Sequence, residues 1–460
     1  MKRWSARAFL CLVMCWPVQL FAHAKLVRSE PAKGASIAQP LSQVRLWFSE
    51  TPSIALSTVS IIAPSGDTVR LTRLRLDAED KRLLLANVPK LLSPGVYRIA
   101  WRIVAGDGHP KYGSIDFSIV DAKARRIPAA VATDSSAHAD SSAPAGSEVL
   151  KETDAEAMAF GGAFAAIAAR WISFLAVFVV IGVVAFRVGV LARMGPGAAD
   201  TFMHIASSNG ATLGIVASAG VLLAAALKLA RESADMPDVR AGRMLFASAW
   251  GFSVFLQMIG AVGAAAAFRV AQTGREGSRL AGWRAAALSA AVLATALSLG
   301  AHGATNDRAF LTIPADVLHI VAGSCWLGTL AVIVIVGIPA ALKSPDVTRP
   351  GERVARMINT FSPLALVCGG LVAASGAVAS LIHLRQVADL WRTPYGVALS
   401  VKLLFVAILF GAGAWNWRRM KPRLTGDDAV TPMRSVAWFE LLLATIVLGI
   451  TAILVALELP

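Results

Sequence analysis

Four cysteines in 460 residues are too few for a disulfide framework, and their placement weakens the case further. Cys11 and Cys15 fall within the first 22 residues, while Cys325 and Cys368 lie inside apolar runs. Acidic residues are scarce too, 29 against 44 lysines and arginines, leaving a net charge of +15. There is nevertheless no basic tail and no basic helix with interleaved aromatics, so nucleic acid is not an expected partner. No GxxxxGK[ST] motif occurs, and no gap between apolar segments is long enough for a nucleotide-hydrolysing domain, so no nucleotide is expected either. Methionine is missing between His23 and Val120, which deprives that stretch of thioether, a soft metal ligand.

Apolar residues, at 56%, are what the chain has in plenty, and they are concentrated after residue 157. Eight apolar segments, near 158–191, 208–230, 243–270, 283–301, 312–341, 355–383, 395–417 and 435–458, are each long enough to cross a bilayer as a helix. The first 22 residues have the layout of a secretory signal peptide: Lys2, Arg3 and Arg7, an apolar run from Ala8 to Phe21, then small residues. That run, about 14 residues, is short for a membrane anchor, so cleavage is expected and the mature chain begins outside the cytoplasm. Eight crossings then return the C-terminus to the same side. The charge bias agrees, because the gaps assigned to the cytoplasm carry fifteen Lys and Arg and the outer gaps carry seven. The expected location is the bacterial inner membrane, with lipid as a partner and with the N-terminal domain and C-terminus in the periplasm.

Four regions follow. Residues 1–22 are the signal peptide. Residues 23–120 hold short β-branched and aromatic runs, RLWFSE, TVSIIAPSGDTVRL, RLLLANV, GVYRIAWRIV and GSIDFSIV, separated by turn residues. Strands at roughly ten-residue spacing predict an all-β immunoglobulin-like sandwich. Residues 121–156 are rich in Ala, Ser, Asp and Pro and are expected to be a flexible linker. Residues 157–460 form the eight-helix membrane domain.

The β-domain has two histidines. His109 stands in GDGHPKYGS with Asp107 two residues before it, and His23 lies in LFAHAKLV. A cut after Ala22 leaves the α-amine and imidazole of His23 on one residue, where they chelate together. With Asp107 and His109 they supply three nitrogens and an oxygen, a set suited to tetragonal Cu(II). The plainer reading has His109 pinning a turn and Asp107 capping it. A cut after Ala24, which the Ala22-His23-Ala24 triplet favours by itself, discards His23.

The stretch HAKLVRSEPAKGASIAQPLSQVRLWFSE followed by GDGHPKYGSIDFSIV resembles the CopC family of periplasmic copper-binding β-sandwiches. The resemblance implies Cu(II) bound by His23 with its amine, Asp107 and His109. Many relatives have another histidine two residues after the first, where this chain has Lys25, and some carry a Met-rich Cu(I) site that this domain lacks. The second half resembles the CopD family through AHG at 301–303, DVLHIVAGSCWLG at 316–328, FSP at 361–363, LWRTPYG at 390–396 with Lys402, Asn416, Glu440 and Pro460. The resemblance implies copper homeostasis and movement of copper across the inner membrane toward the cytoplasm.

Ionisable residues near lipid are candidate functional groups. His302, Asp316, His319 and His383 all fall on the outer side of the expected topology, with Asp316 and His319 on one helix face, about 60° apart. Deeper, Cys325, Cys368 and Met258 offer soft ligands for Cu(I), or plain packing. Met203 and His204 stand at the inner end of the second segment. The expected function is capture of Cu(II) outside and its passage into or across the membrane, without enzymatic catalysis and with periplasmic copper chaperones as candidate protein partners. The alternatives are a haem- or copper-containing membrane redox protein and a periplasmic copper-sequestering protein that transports nothing.

Overall fold

The structure, a computed structural model, describes residues 25–38, 41–104, 110–120, 146–194, 200–236, 239–300, 309–344, 350–384, 386–420 and 430–457. The expected signal peptide, most of the linker, and His23, Asp107, His109 and His302 lie outside the described residues.

The N-terminal region is a two-sheet sandwich. One sheet has the order β1-β3-β7-β6, from Leu26–Glu30, Gln43–Phe48, Leu83–Asn87 and Thr72–Leu76. The other has the order β2-β9-β8-β4-β5, from Ser36–Ala38, Pro110–Val120, Gly95–Val104, Thr58–Ile62 and Thr68–Arg70. Among the described residues only β2 and β9 pair in parallel; the other ladders are antiparallel. Period-two alternation explains the architecture. Val44, Leu46 and Phe48 of β3 point into the core between polar or half-buried neighbours, as do Ile115, Phe117 and Ile119 of β9. Together with Val59, Ile61, Leu84 and Ile99 they form one buried cluster shared by both sheets. The sandwich expectation holds. The five expected runs are strands, and β1, β2 and β6 are additional.

Eight helices among the described residues are long and apolar enough to cross a membrane: Phe164–Arg193, Thr201–Ala234, Ala249–Thr273, Glu276–Leu299, Phe310–Lys343, Gly351–Leu381, Pro394–Arg418 and Met433–Leu454. They are called spans one to eight below. Two boundaries differ from expectation. The helix leading into span one starts at Gly146, inside the stretch 121–156 expected to be linker. Residues 146–157 include Leu150, Lys151, Glu152, Ala155 and Glu156, good helix formers. Lys228, expected in an outer gap, lies within the helix Asp200–Asp235.

The spans repeat. Trp171, Leu175, Ala176, Val177, Val179 and Gly182 of span one recur at one constant offset as Trp326, Leu330, Ala331, Val332, Val334 and Gly337 of span five. Short helices, Ala241–Phe246 and Asp389–Arg392, precede spans three and seven. Each of these spans opens with the same device. The Ser248 hydroxyl accepts from the Gly251 N–H at 3.0 Å, and the Thr393 hydroxyl accepts from the Gly396 N–H at 3.0 Å. Both glycines are needed for close approach, since a Cβ would strike the Met244 carbonyl oxygen at Gly251 and the Asp389 carbonyl oxygen at Gly396. Thr393 as cap, Pro394 in the first turn and Gly396 at the crossing thus give TPYG a structural role, and Tyr395 is buried with Leu399, Leu454 and Leu457.

The chain divides into two compact units. One comprises residues 23–184 and 211–321, and the other includes 185–210 and 322–460.

Candidate functional site

Within the first unit, several contacts converge at one end of the sandwich. Leu26, opening β1, pairs with Phe48, and the Lys25 N–H donates to the Ser49 hydroxyl at 2.9 Å. Four residues on, the Ser53 N–H donates to the Val104 carbonyl at 2.7 Å, where β8 ends. Val104 pairs with Pro110, the first residue of β9, so the β8–β9 ladder ends at that same end. The start of β1 and the end of the β8–β9 ladder therefore share one end of the domain, the end nearest in sequence to His23, Asp107 and His109. The side chains themselves lie outside the described residues. In the same ladder, Trp101 pairs with Gly113 and covers it so closely that a Cβ there would collide with the indole. Trp101 in turn meets Phe48 edge-on at 6.4 Å.

The same end is seated on the helical part of the unit. Leu56 and Val104 are buried with Met236 and Met244, which flank the connection between spans two and three. The Ser53 hydroxyl donates to the Ala247 carbonyl at 2.8 Å. A purely tethered domain was the expectation; the structure adds a packed seat. Leu56 and Val104 carried no sequence signal for this contact, because a seat and a core residue have the same composition.

In the same unit, span five carries Asp316 and His319 one turn apart, both half-buried. Span four is tied to the start of span five by the Ser298 hydroxyl, which donates to the Ile313 carbonyl at 3.2 Å. His383 ends the helix Pro350–His383 in the second unit; its side chain lies outside the described residues. Among the described residues no three His, Cys, Asp or Glu side chains gather closely enough to hold a metal ion.

Sequence reasoning missed a polar network in the same unit. Gln257 of span three accepts at Oε1 from the Ser173 hydroxyl at 3.0 Å and from Lys228 Nζ at 3.1 Å. Its Nε2 donates to the Ser253 hydroxyl, which donates to the Ala296 carbonyl at 2.6 Å. Spans one, two, three and four are thus joined at one polar knot. A glutamine and a lysine inside apolar runs were the available signal.

In the second unit, buried Glu440 accepts from Asn416 Nδ2 at 3.1 Å, joining spans seven and eight near the end assigned to the cytoplasm. The Arg353 guanidinium lies 5.0 Å from the Phe202 ring, beside Met203 and the exposed His204. Cys325 and Cys368 are in this unit as well.

Comparison with known proteins gives two family matches. Residues 26–120 match the CopC domain, and residues 355–454 match copper resistance protein D. Over 436 residues the chain is 26% identical to the copper transport protein CutJ of Bacillus subtilis, covering 92% of this chain and 73% of that protein. Over 104 residues it is 34% identical to copper resistance protein C of Xanthomonas campestris pv. juglandis, covering 22% of this chain and 81% of that protein. Among solved structures, CopC from Methylosinus trichosporium OB3b matches with 27% identity and a TM-score of 0.20, over 22% of this chain and 96% of that one.

Proposed function

The chain belongs to the CopC and CopD copper-resistance families, joined in one polypeptide, and from that premise we propose that it captures Cu(II) outside the cytoplasm and passes copper inward through its helical domain. Copper is the cargo, and binding and transfer rather than catalysis are the work.

The observation that carries this reading is the seat. The end of the sandwich where β1 begins and the β8–β9 ladder ends is the end packed on the connection between spans two and three, through Leu56, Val104, Met236 and Met244. In this reading the α-amine and imidazole of His23, exposed by cleavage after Ala22, join Asp107 and His109 in a tetragonal N,O site for Cu(II). Copper released there passes, in this reading, to Asp316 and His319. A carboxylate and an imidazole on one helix face take up a partly desolvated divalent ion, and an ionisable pair near lipid is otherwise costly to keep. His302, in the same unit, is a further candidate on the outer path in this proposal.

The fifteen basic residues on the inner side support the orientation, with the sandwich and the C-terminus in the periplasm. Periplasmic copper chaperones are then the natural donors to the sandwich.

Two measurements test the outer half together. Mass spectrometry of the mature chain gives its first residue, and Cu(II) titration gives the ligands. Expected are a mature start at His23 and loss of the high-affinity Cu(II) site in His109→Ala. A start at Lys25 with unchanged Cu(II) affinity contradicts the proposal.

A further inference from the structure

Cys325 and Cys368 find no use in the outer path. Cys325 lies near the middle of span five, in the π-helical turn Ser324–Gly328, and Cys368 lies near the middle of span six. Both cysteines sit where the turn Ser324–Gly328 packs against the helix Pro350–His383, close enough for each thiol to perturb the other, and neither is in a disulfide. Their neighbours fix the crossing. Trp326 lies against Gly369, where a Cβ would sit 3.8 Å from the indole and 3.3 Å from Phe410, and the Trp326 and Phe410 rings lie tilted with centroids 5.0 Å apart. The contact of Trp326 with Gly369 brings the two helices together at the residues directly following both cysteines, with the tilted Trp326–Phe410 ring pair beside it, and the π turn widens the backbone of span five at that level.

The internal repeat separates packing from chemistry here. Trp326 has its counterpart in Trp171, but the residue before it is Cys325 in span five and Arg170 in span one. The shared helix packing therefore accepts a guanidinium at this position and does not require a thiol.

We propose that Cys325 and Cys368 form a two-coordinate Cu(I) site halfway across the membrane, on the inward copper path. The inference rests on the copper-transport reading for its place on a path, and on the facing thiols for its chemistry. Sulfur is the ligand type that selects Cu(I), and the thiolate is the binding form. Binding balances as one Cu(I) and two thiols giving one Cu–thiolate bond, one Cu–thiol bond and one released proton. The copper keeps its oxidation state on binding, because captured Cu(II) is reduced beforehand by external thiols, two of which give two electrons to two Cu(II), release two protons and close one disulfide; the bound pair is electrically neutral, which suits a site at mid-membrane depth where charge is costly. Two ligands also leave the ion free to be taken by a third, which an ion in transit requires.

The test uses the full chain in detergent, titrated with Cu(I) under anaerobic conditions against a chromophoric Cu(I) chelator. Cys325→Ser and Cys368→Ser are each expected to weaken one Cu(I) by more than the roughly 100-fold that loss of an outer-shell contact costs, and to remove sulfur scattering at the copper edge. Cys325→Met, which restores a soft ligand, is expected to recover part of the affinity. Serine variants that bind Cu(I) like the wild type overturn the proposal. Should the serine variants fail to fold, alkylation of the wild type by a membrane-permeant maleimide decides: slower labelling of both cysteines with Cu(I) supports the site, and unchanged labelling overturns it. Copper uptake is measured separately. Uptake that is equal in the wild type and the double serine variant removes the site from the path while leaving transport standing. Cu(I) held by the cysteines of a chain that moves no copper refutes the transport reading and leaves the site as a store.

Discussion

Gln257 is a buried amide with three polar partners, Ser173, Lys228 and Ser253, on three different spans counting its own. Replacing it with leucine keeps the volume and strands the Lys228 ammonium and the Ser173 hydroxyl without this acceptor. Gln257→Leu is therefore expected to lower stability in detergent by about 1–3 kcal/mol, seen as a lower unfolding midpoint; a midpoint equal to that of the wild type contradicts the account. The Asn416–Glu440 pair is a milder case. Polar pairs between membrane helices couple by about 0.6 kcal/mol on average, and a double-mutant cycle on Asn416→Ala and Glu440→Ala is expected to return a coupling of that order. At this scale the sequence spoke unevenly. Asp316 and His319 were legible because ionisable residues inside apolar runs stand out. Gln257 and Lys228 carried the same signal, but their meeting depends on how four spans pack, which one chain's periodicity does not specify. The Cys325–Cys368 contact was hidden for the same reason.

At the scale of elements, the strands were largely readable because alternation decides which face is buried. Phe117 is wholly inside between the two sheets, and Phe117→Ala is expected to cost about 3–5 kcal/mol, checked by denaturant unfolding of the sandwich signal. The turn after β6 contributes a pH dependence. The Glu79 and Asp80 N–H groups donate to the Asp77 carboxylate at 3.0 and 3.2 Å and hold its carboxyl below the usual carboxylate range. A depressed carboxylate adds stability at pH above its unfolded-state value, and that contribution is lost as the pH falls through the folded-state value. Asp77→Asn is thus expected to flatten the acid limb of the stability profile below about pH 4, and an unchanged limb contradicts the assignment. β1, β2 and β6 escaped sequence reading because they are sheet-edge strands, short or richly polar, where burial imposes little pattern. The seat of the sandwich was equally silent. Leu56→Glu places a charge among Val104, Met236 and Met244, and is expected to raise hydrogen exchange across residues 236–247 while leaving β3 and β9 protected.

For the whole molecule, the apolar segments fixed the number of spans, and the charge bias gave an orientation before any coordinates. What periodicity did not reveal is that spans one to four and five to eight repeat one order of elements, with a capped helix after a short one in each half. The repeated halves differ in chemistry: the first carries the Lys228–Gln257 knot, the second the cysteine pair. The account's central claim is that copper passes from the seated sandwich into the helices and onward. Radioactive copper uptake by cells expressing the wild type, His109→Ala and His319→Ala at matched levels tests it most directly. The account predicts copper accumulation in the cytoplasm with the wild type and its loss in both variants. Equal cytoplasmic copper in all three, at the level of cells lacking the protein, would contradict it.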